Sequence, residues 1–271
     1  MKLDLHVHTT FSDGDFTPCE AVKAAKQNGL ELIAITDHDE CRGYGEVANE
    51  TGIRILPGIE LAARYEGEVH VLGLGVDWRS PELIAHIESA ASLREERANS
   101  MIEKLRAAGV GITLEDVREE SSGIIGRPHI AVALVKKGYA QDVKEAFAAY
   151  LSKHTPFYVP YDKISIEHAA RLISGAGGKA VLAHPGLLRE DIINELFPKL
   201  VGMGFWGVEA YHPTHTDGQC REFESLARSR GLFVTAGSDF HGSAKPGVGI
   251  GSETRGGEYV KRSAEALMQC V

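Results

Sequence analysis

Residues 2–8 read Lys2-Leu3-Asp4-Leu5-His6-Val7-His8, and apolar side chains alternate in them with polar ones. This two-residue period is typical of a β-strand, in which successive side chains point to opposite faces. His6 and His8 therefore lie on one side of the predicted strand, at its carboxyl end. Asp13 follows in the next loop, where Gly14 allows the chain to turn back. The stretch predicts a strand that delivers two imidazoles and a carboxylate to one edge of a sheet.

The same placement recurs along the chain. We interpret seven runs as strands: residues 2–8, 32–36, 53–61, 69–76, 178–183, 206–211 and 232–238. Nine ligand-type side chains lie at or just beyond strand ends: His6, His8, Asp13, His38, Glu60, His70, His184, Asp239 and His241. Barrel enzymes build their active sites at the carboxyl ends of parallel strands. The pattern predicts an α/β protein in which βα units surround a parallel sheet.

Helical patterns separate the strands. The predicted helices span residues 18–28, 81–108, 166–175, 188–203 and 216–229, with a last helix near 259–269. Left-handed caps after these helices are expected at Gly29, Gly109, Gly175, Gly204 and Gly231. Between residues 93 and 158 the sequence is helical and charged, without a convincing strand. We therefore expect a barrel domain over residues 1–92 and 159–271, with a helical insertion at residues 93–158.

The composition is that of a globular protein with a large core, since 43% of the residues are hydrophobic and 25% are charged. The net charge of -9 argues against a nonspecific nucleic-acid binder, which needs a basic surface. Cys19, Cys41, Cys220 and Cys270 form neither a CxxC pair nor a dense disulfide framework. The N-terminal residues lack a signal-peptide pattern, and no apolar run reaches the roughly 18 residues of a membrane helix. A cytoplasmic location is the simplest expectation.

Each ligand-type residue taken alone has an ordinary explanation. His6 and His8 by themselves are weak evidence for a metal site. Asp13 is typical of a turn, and Asp37 or Asp39 is placed to cap the helix that follows. Glu60 is less ordinary, because a buried carboxylate is costly unless it is paired or metal-bound. The combination favours mixed imidazole and carboxylate coordination, which suits Mn²⁺, Zn²⁺ or Fe²⁺. Nine such ligands are enough for two or three ions.

These motifs resemble those of the polymerase and histidinol phosphatase (PHP) family of phosphoesterases. The resemblance runs from residue 2 to about residue 241 and rests on His6-Val7-His8, Asp13, Thr36-Asp37-His38, Pro57-Gly58-Ile59-Glu60, His70, Ala183-His184-Pro185 and Gly237-Ser238-Asp239-Phe240-His241. It implies a distorted, TIM-like (β/α)₇ barrel with two or three divalent metal ions. The implied ligand sets are His6, His8, Glu60 and Asp239 for one ion, Glu60, His70 and His184 for a second, and Asp13, His38 and His241 for a third.

The expected nucleophile is a metal-bridging hydroxide, because a divalent ion lowers the pKa of bound water to around 7 to 9. Asp239 is the candidate proton shuttle, and a role as ligand only is equally open. Arg127 is the first candidate for binding substrate phosphate, since a guanidinium binds phosphate through two parallel hydrogen bonds and Pro128 stiffens its loop. Lys153 and His215 are second candidates. For Lys153, an ordinary solvated surface position stays open.

Within the family, the short chain and the inserted Gly126-Arg127-Pro128-His129 are similar to the branch that acts on nucleotides. This likeness implies hydrolysis of the 3'-phosphate of nucleoside 3',5'-bisphosphates, with 5'-phosphorylated short oligoribonucleotides as further substrates. An acidic chain fits such small ligands better than long duplex nucleic acid, and we expect no membrane partner. Two alternatives stay open: a histidinol-phosphate phosphatase, and a catalytically silent metal-binding module.

Overall fold

Eight strands form the core of the computed structural model, which describes residues 1–121, 123–253 and 255–269. They are β1 (Leu3–Val7), β2 (Leu32–Ile35), β3 (Arg54–Arg64), β4 (Glu68–Leu74), β5 (Ile164–Ser165), β6 (Lys179–Leu182), β7 (Gly207–Tyr211) and β8 (Phe233–Ala236). Seven of them coincide with the predicted runs. The exception is β5, whose two residues are too few to give a periodic signal in the sequence.

The strands lie in the order β1-β2-β3-β4-β6-β7-β8, and β5 pairs with β3. β8 returns to β1, because Asp239 N donates to His6 O (2.8 Å) and His8 N donates to Phe240 O (3.0 Å). These two bonds bring the edges of the sheet together as a barrel. A large apolar cluster that includes Leu72 fills the barrel and the space beneath its helices. The prediction of a distorted α/β barrel is confirmed.

β4 departs from the parallel order that the sequence pattern predicted. It runs antiparallel to both β3 and β6. Only residues 65–67 separate it from β3, and a parallel connection needs a dozen or more. The turn uses positive φ angles at Glu66 (+43°) and Gly67 (+141°). Because β4 is reversed, its first residues meet the rim that is formed by the carboxyl ends of the other strands.

The predicted helices are present, with shifts at their ends. In the described ranges the helices are α1 (Pro18–Gln27), α2 (Pro81–Ala107), α3 (Leu114–Arg118), α4 (Arg127–Lys136), α5 (Val143–Ala146), α6 (Ile166–Gly175), α7 (Glu190–Leu196), α8 (Asp217–Ser229) and α9 (Gly257–Gln269). The expected left-handed φ occurs at Gly29, Gly109, Gly204 and Gly231. The prediction for Gly175 was wrong: it is the last residue of α6, and Gly177 (φ +78°) is left-handed instead. The helix predicted at 188–203 is shorter and continues as a 3₁₀ turn at Phe197–Lys199.

The insertion packs around an apolar cluster of its own. Met101 of α2, Leu134 of α4 and Leu151 of a π-helical turn (Phe147–Leu151) are among its buried members. α2 runs without a break through residue 93, the predicted boundary, and joins this cluster to the barrel. The bounds 93–158 for a separate subdomain stay a prediction.

Of the helices described, none combines the length and the apolar composition that crossing a membrane requires. Cys19, Cys41 and Cys220 are free thiols. Cys270 lies outside the described residues.

Candidate metal centre

One rim of the barrel brings the nine predicted ligand side chains together. β1 and its end contribute His6 and His8, β3 contributes Glu60, β4 contributes His70, and the segments after β2, β6 and β8 contribute His38, His184, Asp239 and His241. Asp13 comes from the loop after β1. In that loop, Thr9 N (2.7 Å), Thr9 Oγ1 (2.7 Å) and Ser12 Oγ (2.6 Å) all donate to Asp37. These bonds fold the loop back so that Asp13 faces the histidines.

Glu60 lies at the centre of the group and is fully buried. Its Oε1 is 3.0 Å from both His70 Nδ1 and His184 Nε2. Its Oε2 is 2.9 Å from His38 Nδ1 and 3.2 Å from His8 Nε2. Burial acts to raise the pKa of Glu60, but the imidazoles of His38 and His70 outweigh it and hold this pKa well below its usual range. Glu60 is therefore ionised, with both oxygens facing possible metal positions.

Two aspartates flank the central glutamate. Asp13 Oδ1 is 3.3 Å from His241 Nε2 and 3.6 Å from His8 Nδ1. Asp239 Oδ1 is 3.3 Å from His8 Nε2 and 3.6 Å from His6 Nε2. The three carboxylates and six imidazoles thus form one continuous cluster.

The donor set fits divalent cations. Asp13 Oδ1, His38 Nδ1 and Glu60 Oε2 are buried without a hydrogen-bond partner among the described residues, which is costly unless a cation coordinates them. Donor atoms that lie within 4.8 Å of one another occur in three groups: His8, Asp13, His38 and His241; His6, His8 and Glu60; and His38, Glu60 and His70. Ligands held at about 2 Å from one ion lie at such separations.

Two of these residues have backbone conformations that are uncommon for L-amino acids. φ is +24° at His184 and +54° at Asp239. Such residues cost of order 1–3 kcal/mol and persist where the surrounding structure holds them. Here His184 N donates to Glu209 Oε2 (2.8 Å), and Asp239 N donates to His6 O (2.8 Å). The side chains are therefore held in place by the folded chain itself.

Glu209, on β7, belongs to the site and was missed from the sequence. It is fully buried, and its two carboxylate oxygens lie 3.0 and 3.2 Å from His6 Nδ1. A carboxylate at Nδ1 fixes the proton there and turns Nε2 of His6 toward the cluster. Burial acts to raise the pKa of Glu209, but His6 outweighs it and the pKa is lowered. The available signal was a lone glutamate within the apolar run Gly207-Val208-Glu209-Ala210.

The outer oxygen of Asp239 contacts two further side chains. Asp239 Oδ2 is 3.2 Å from His212 Nε2 and 2.5 Å from Lys245 Nζ. His212 is itself oriented by Thr214, whose Oγ1 is 2.8 Å from His212 Nδ1. Lys245 lies in the glycine-rich segment after β8, which gave no sequence signal for a functional lysine. Asp239 thus has one oxygen toward the ligand cluster and one toward His212 and the ammonium group of Lys245.

A cavity of about 120 Å³ adjoins the cluster on the side of the insertion. Its lining includes Asp13, His38, Glu68, His70, Arg94, Arg97, Arg127, Phe147 and Tyr161. Arg94 is neutralised by Asp39, with Nη2 2.5 Å from Oδ2. Arg97 is buried, its Nε donates to Val159 O (2.7 Å), and its Nη2 has no partner among the described residues. A guanidinium group with an N–H left over beside a cavity is suited to an anionic ligand.

Two of the three predicted phosphate-binding residues lie beside this space. Arg127 lines the cavity, with Cζ 5.7 Å from the ring centre of Phe147. Lys153 lines an adjoining cavity of about 190 Å³, which shares Glu68 with the first. Its Nζ is 3.8 Å from Glu68 Oε2, and its side chain is 53% exposed.

The structure does not bring His215 into either cavity. Gly186 N donates to His215 Nε2 (3.0 Å), and His215 Nδ1 donates to Ala210 O (3.0 Å). Both ring nitrogens are therefore used within the protein. His215 thus connects the turn that follows His184 to β7 through these two hydrogen bonds.

Comparison with known proteins identifies the family to which the chain belongs. A family model described as the PHP domain matches residues 4–180, more than half of the 271-residue chain. The chain belongs to the PHP family. The resemblance carried by the strand-end motifs is confirmed.

Three curated relatives are similar over most of the chain. A 3',5'-nucleoside bisphosphate phosphatase of Chromobacterium violaceum is 35% identical over 92% of this chain and 90% of the relative. A 5'-3' exoribonuclease of Haemophilus influenzae is 33% identical, over 89% and 90%. A phosphoribosyl 1,2-cyclic phosphate 1,2-diphosphodiesterase of Eggerthella lenta is 34% identical, over 88% and 94%. All three names describe hydrolysis of phosphate esters, and they differ in the ester.

A solved structure from Bifidobacterium adolescentis, described as a candidate metal-dependent phosphoesterase, superposes with a TM-score of 0.88 at 31% identity. The match covers 99% of this chain and 96% of that one, so the likeness includes the insertion. The PHP chain is a phosphoric ester hydrolase with a site for divalent metal ions.

Proposed function

We propose that this PHP protein removes the 3'-phosphate from nucleoside 3',5'-bisphosphates and also acts on 5'-phosphorylated short oligoribonucleotides. The observation that carries the proposal is the arginine-lined cavity beside the acid and histidine cluster, where Arg97 Nη2 has no hydrogen-bond partner among the described residues. A substrate with two phosphates on one ribose would place one at the cluster and the other among the arginines. The names of the Chromobacterium violaceum and Haemophilus influenzae relatives support this substrate class.

The nine rim side chains are the proposed ligands of two or three ions, with Mn²⁺, Zn²⁺ and Fe²⁺ as the candidates. We propose the division that the family resemblance implies, in which Glu60 is shared between two ions. His8 and His38 each belong to two of the three groups of neighbouring donor atoms described above. Divalent ions supply a lowered pKa for coordinated water and offset the charge of the phosphoryl group. Residues of the chain transfer the protons and bind the phosphates of the substrate.

Hydrolysis joins a water oxygen to phosphorus and breaks the bond from phosphorus to the ribose 3'-oxygen, which takes up a proton. Asp239 is the proposed acceptor of the proton from the attacking water. Burial acts to raise its pKa, but His6 and His212 outweigh this and keep it well below its usual range, so the carboxylate is ionised but would hold a proton only in passing. The proton would be shared with His212, which is 3.2 Å from Asp239 Oδ2. Lys245, on the same oxygen, offsets negative charge near the leaving group.

Charge separates the proposed substrate from histidinol phosphate. Histidinol phosphate carries one phosphate and a cationic amine, which the guanidinium groups of Arg97 and Arg127 beside the site would repel. Arg127 and Arg97 instead favour a second anion. Lys153, in the adjoining cavity, is the proposed contact for a phosphate further along an oligonucleotide.

The test compares Arg127→Ala with the wild type on a nucleoside 3',5'-bisphosphate and on the matching nucleoside 3'-monophosphate. A charged hydrogen bond contributes about 1.5–3 kcal/mol, so kcat/KM for the bisphosphate should fall about 10- to 100-fold. The monophosphate, which lacks the 5'-phosphate, should lose less than about threefold, and metal content should not change. Arg118→Ala is the matched control, because it removes an exposed arginine of the insertion that pairs with Glu95.

Other outcomes identify the alternatives. Faster turnover of histidinol phosphate than of either nucleotide would make the protein a histidinol-phosphate phosphatase. Absence of turnover of any phosphate ester by metal-loaded protein would leave a silent metal-binding module. The proposed partners are small phosphorylated molecules rather than long duplexes or membranes. The proposed compartment is the cytoplasm, where free Cys19, Cys41 and Cys220 would stay reduced.

A further inference from the structure

Lys245 belongs to a segment of the chain that follows β8 and spans residues 242–251, here called the Lys245 segment. Its Nζ is 2.5 Å from Asp239 Oδ2. Most of the segment is exposed, and its glycines at positions 242, 247 and 251 have positive φ angles. Glycine leaves the backbone many conformations, so exposed chain of this kind does not fix a lysine by packing alone. Contacts at the two ends of the segment must hold Lys245 in place.

Asp15, in the loop after β1, holds the beginning of the segment. Ser243 N donates to Asp15 Oδ2 (2.7 Å). Gly242 lies so close that a Cβ there would be 1.4 Å from Asp15 Oδ1. Lys245 N in turn donates to Gly242 O (3.2 Å). The turn from which the Lys245 side chain departs therefore rests against Asp15.

Asp4, a buried residue of β1, holds the end of the segment. Its Oδ2 accepts hydrogen bonds from Gly251 N (2.7 Å) and Ser238 Oγ (2.5 Å). Its Oδ1 accepts from Ser238 N (2.8 Å). Ser238 directly precedes Asp239. One carboxylate thus connects the end of the Lys245 segment to the residue before Asp239, the partner of Lys245.

We propose that Asp4 and Asp15 are positioning residues, which hold the Lys245 segment at its two ends and so keep the Lys245 ammonium group beside Asp239. The inference rests on the proposed function, in which Lys245 offsets negative charge near the leaving group. Misplacement of a group by about 1 Å in an active site can slow the reaction about 100-fold. Neither Asp4 nor Asp15 is among the nine proposed ligands, so their replacement should slow hydrolysis without removing metal.

Two substitutions release the two ends separately. The amide in Asp4→Asn has one acceptor oxygen, which is needed at the place of Oδ1 for Ser238 N. The amide nitrogen then occupies the place of Oδ2, where it can donate to Ser238 Oγ but cannot accept from Gly251 N. Asp15→Ala removes the acceptor of Ser243 N at the other end. Because Asp15 is exposed, this variant should fold even if Asp4→Asn does not.

The experiment measures kcat on a nucleoside 3',5'-bisphosphate for both variants, each in the wild type and in Lys245→Ala. Lys245→Ala alone should lose about 10- to 100-fold, and Asp4→Asn and Asp15→Ala alone about 10-fold each. In the Lys245→Ala background the further loss should be less than about twofold, because no ammonium group is left to position. The same loss in both backgrounds, or loss of bound metal from either variant by elemental analysis, would overturn the inference. Asp191→Asn, which removes an exposed carboxylate paired with Arg189, is the control and should change kcat less than about twofold.

A second ester, p-nitrophenyl phosphate, separates the role of Lys245 from damage to the metal centre. Its leaving group spreads negative charge over the ring and needs little stabilisation by a nearby cation. On this ester the Asp4, Asp15 and Lys245 variants should stay within about threefold of the wild type. Equal losses on both esters would contradict a role through Lys245.

The same two esters distinguish failure of the inference from failure of the proposed function. Should the wild type hydrolyse p-nitrophenyl phosphate but not the bisphosphate, the proposed substrate is wrong, and the same comparison on a simple sugar phosphate decides the positioning role. Should Lys245→Ala match the wild type on every ester, Lys245 has no part in hydrolysis and the inference falls with that role.

Discussion

At the residue scale, Glu209 decides which nitrogen of His6 faces the metal centre. Replacement by glutamine keeps the size of the side chain but removes the charge that holds the proton on His6 Nδ1. Loss of such outer partners typically weakens metal binding 10- to 100-fold. We expect this for Glu209→Gln in a calorimetric titration with Mn²⁺. Unchanged affinity would show that the orientation of His6 does not depend on Glu209.

Lys163 gives the adjoining cavity of about 190 Å³, which it lines with Lys153, a pH dependence. It is largely buried beside Glu68 (3.4 Å), and burial lowers the pKa of Lys163 to about 8. Below pH 8 Lys163 carries a positive charge that favours an anionic substrate; above pH 8 this charge is lost. KM for a 5'-phosphorylated oligoribonucleotide, which would reach this cavity, should therefore rise as the pH passes through about 8. In Lys163→Arg, which stays charged, the rise should disappear, and persistence of the same rise would assign it to another group.

At the scale of elements, the site depends on close packing of strand ends. A Cβ at Gly237, just after β8, would lie 2.3 Å from His6 Cβ and 2.7 Å from Glu209 Oε1. Gly237→Ala should displace His6, destabilise the fold by about 1–3 kcal/mol and reduce bound metal. Gly249→Ala, which meets nothing within 4 Å, is the control. Urea unfolding and elemental analysis of both variants check this, and normal metal content in Gly237→Ala would contradict it.

Much of the arrangement of strands and ligand residues could be predicted from the sequence, because both follow patterns within a few consecutive residues. The alternation at residues 2–8 and the His6 and His8 pair both follow from the period of two. The direction of β4 was also predictable, since the short link around Gly67 excludes a parallel connection. Arg97 could not be found, because its place beside the cavity depends on a contact with Val159, 62 positions away. Such contacts leave no local pattern.

At the scale of the whole molecule, the proposed ions would join the ends of β1, β2, β3, β4, β6 and β8. Ions that bind only the folded state stabilise it by about 2.7 kcal/mol at 100 times their dissociation constant. For a chain of this size, removal of metal should lower Tm by about 5–10 °C. Differential scanning fluorimetry before and after chelation, with Mn²⁺ restored as a control, measures the shift. An unchanged Tm would mean that the ions, if bound, do not hold the barrel together.

The most direct measurement is anomalous X-ray diffraction from crystals of the protein loaded with Mn²⁺ or Zn²⁺. The account predicts two or three peaks among the nine rim side chains, each about 2 Å from its donor atoms, with Glu60 contacting two of them. Peaks elsewhere in the molecule, or a cluster without any peak at saturating metal, would contradict it.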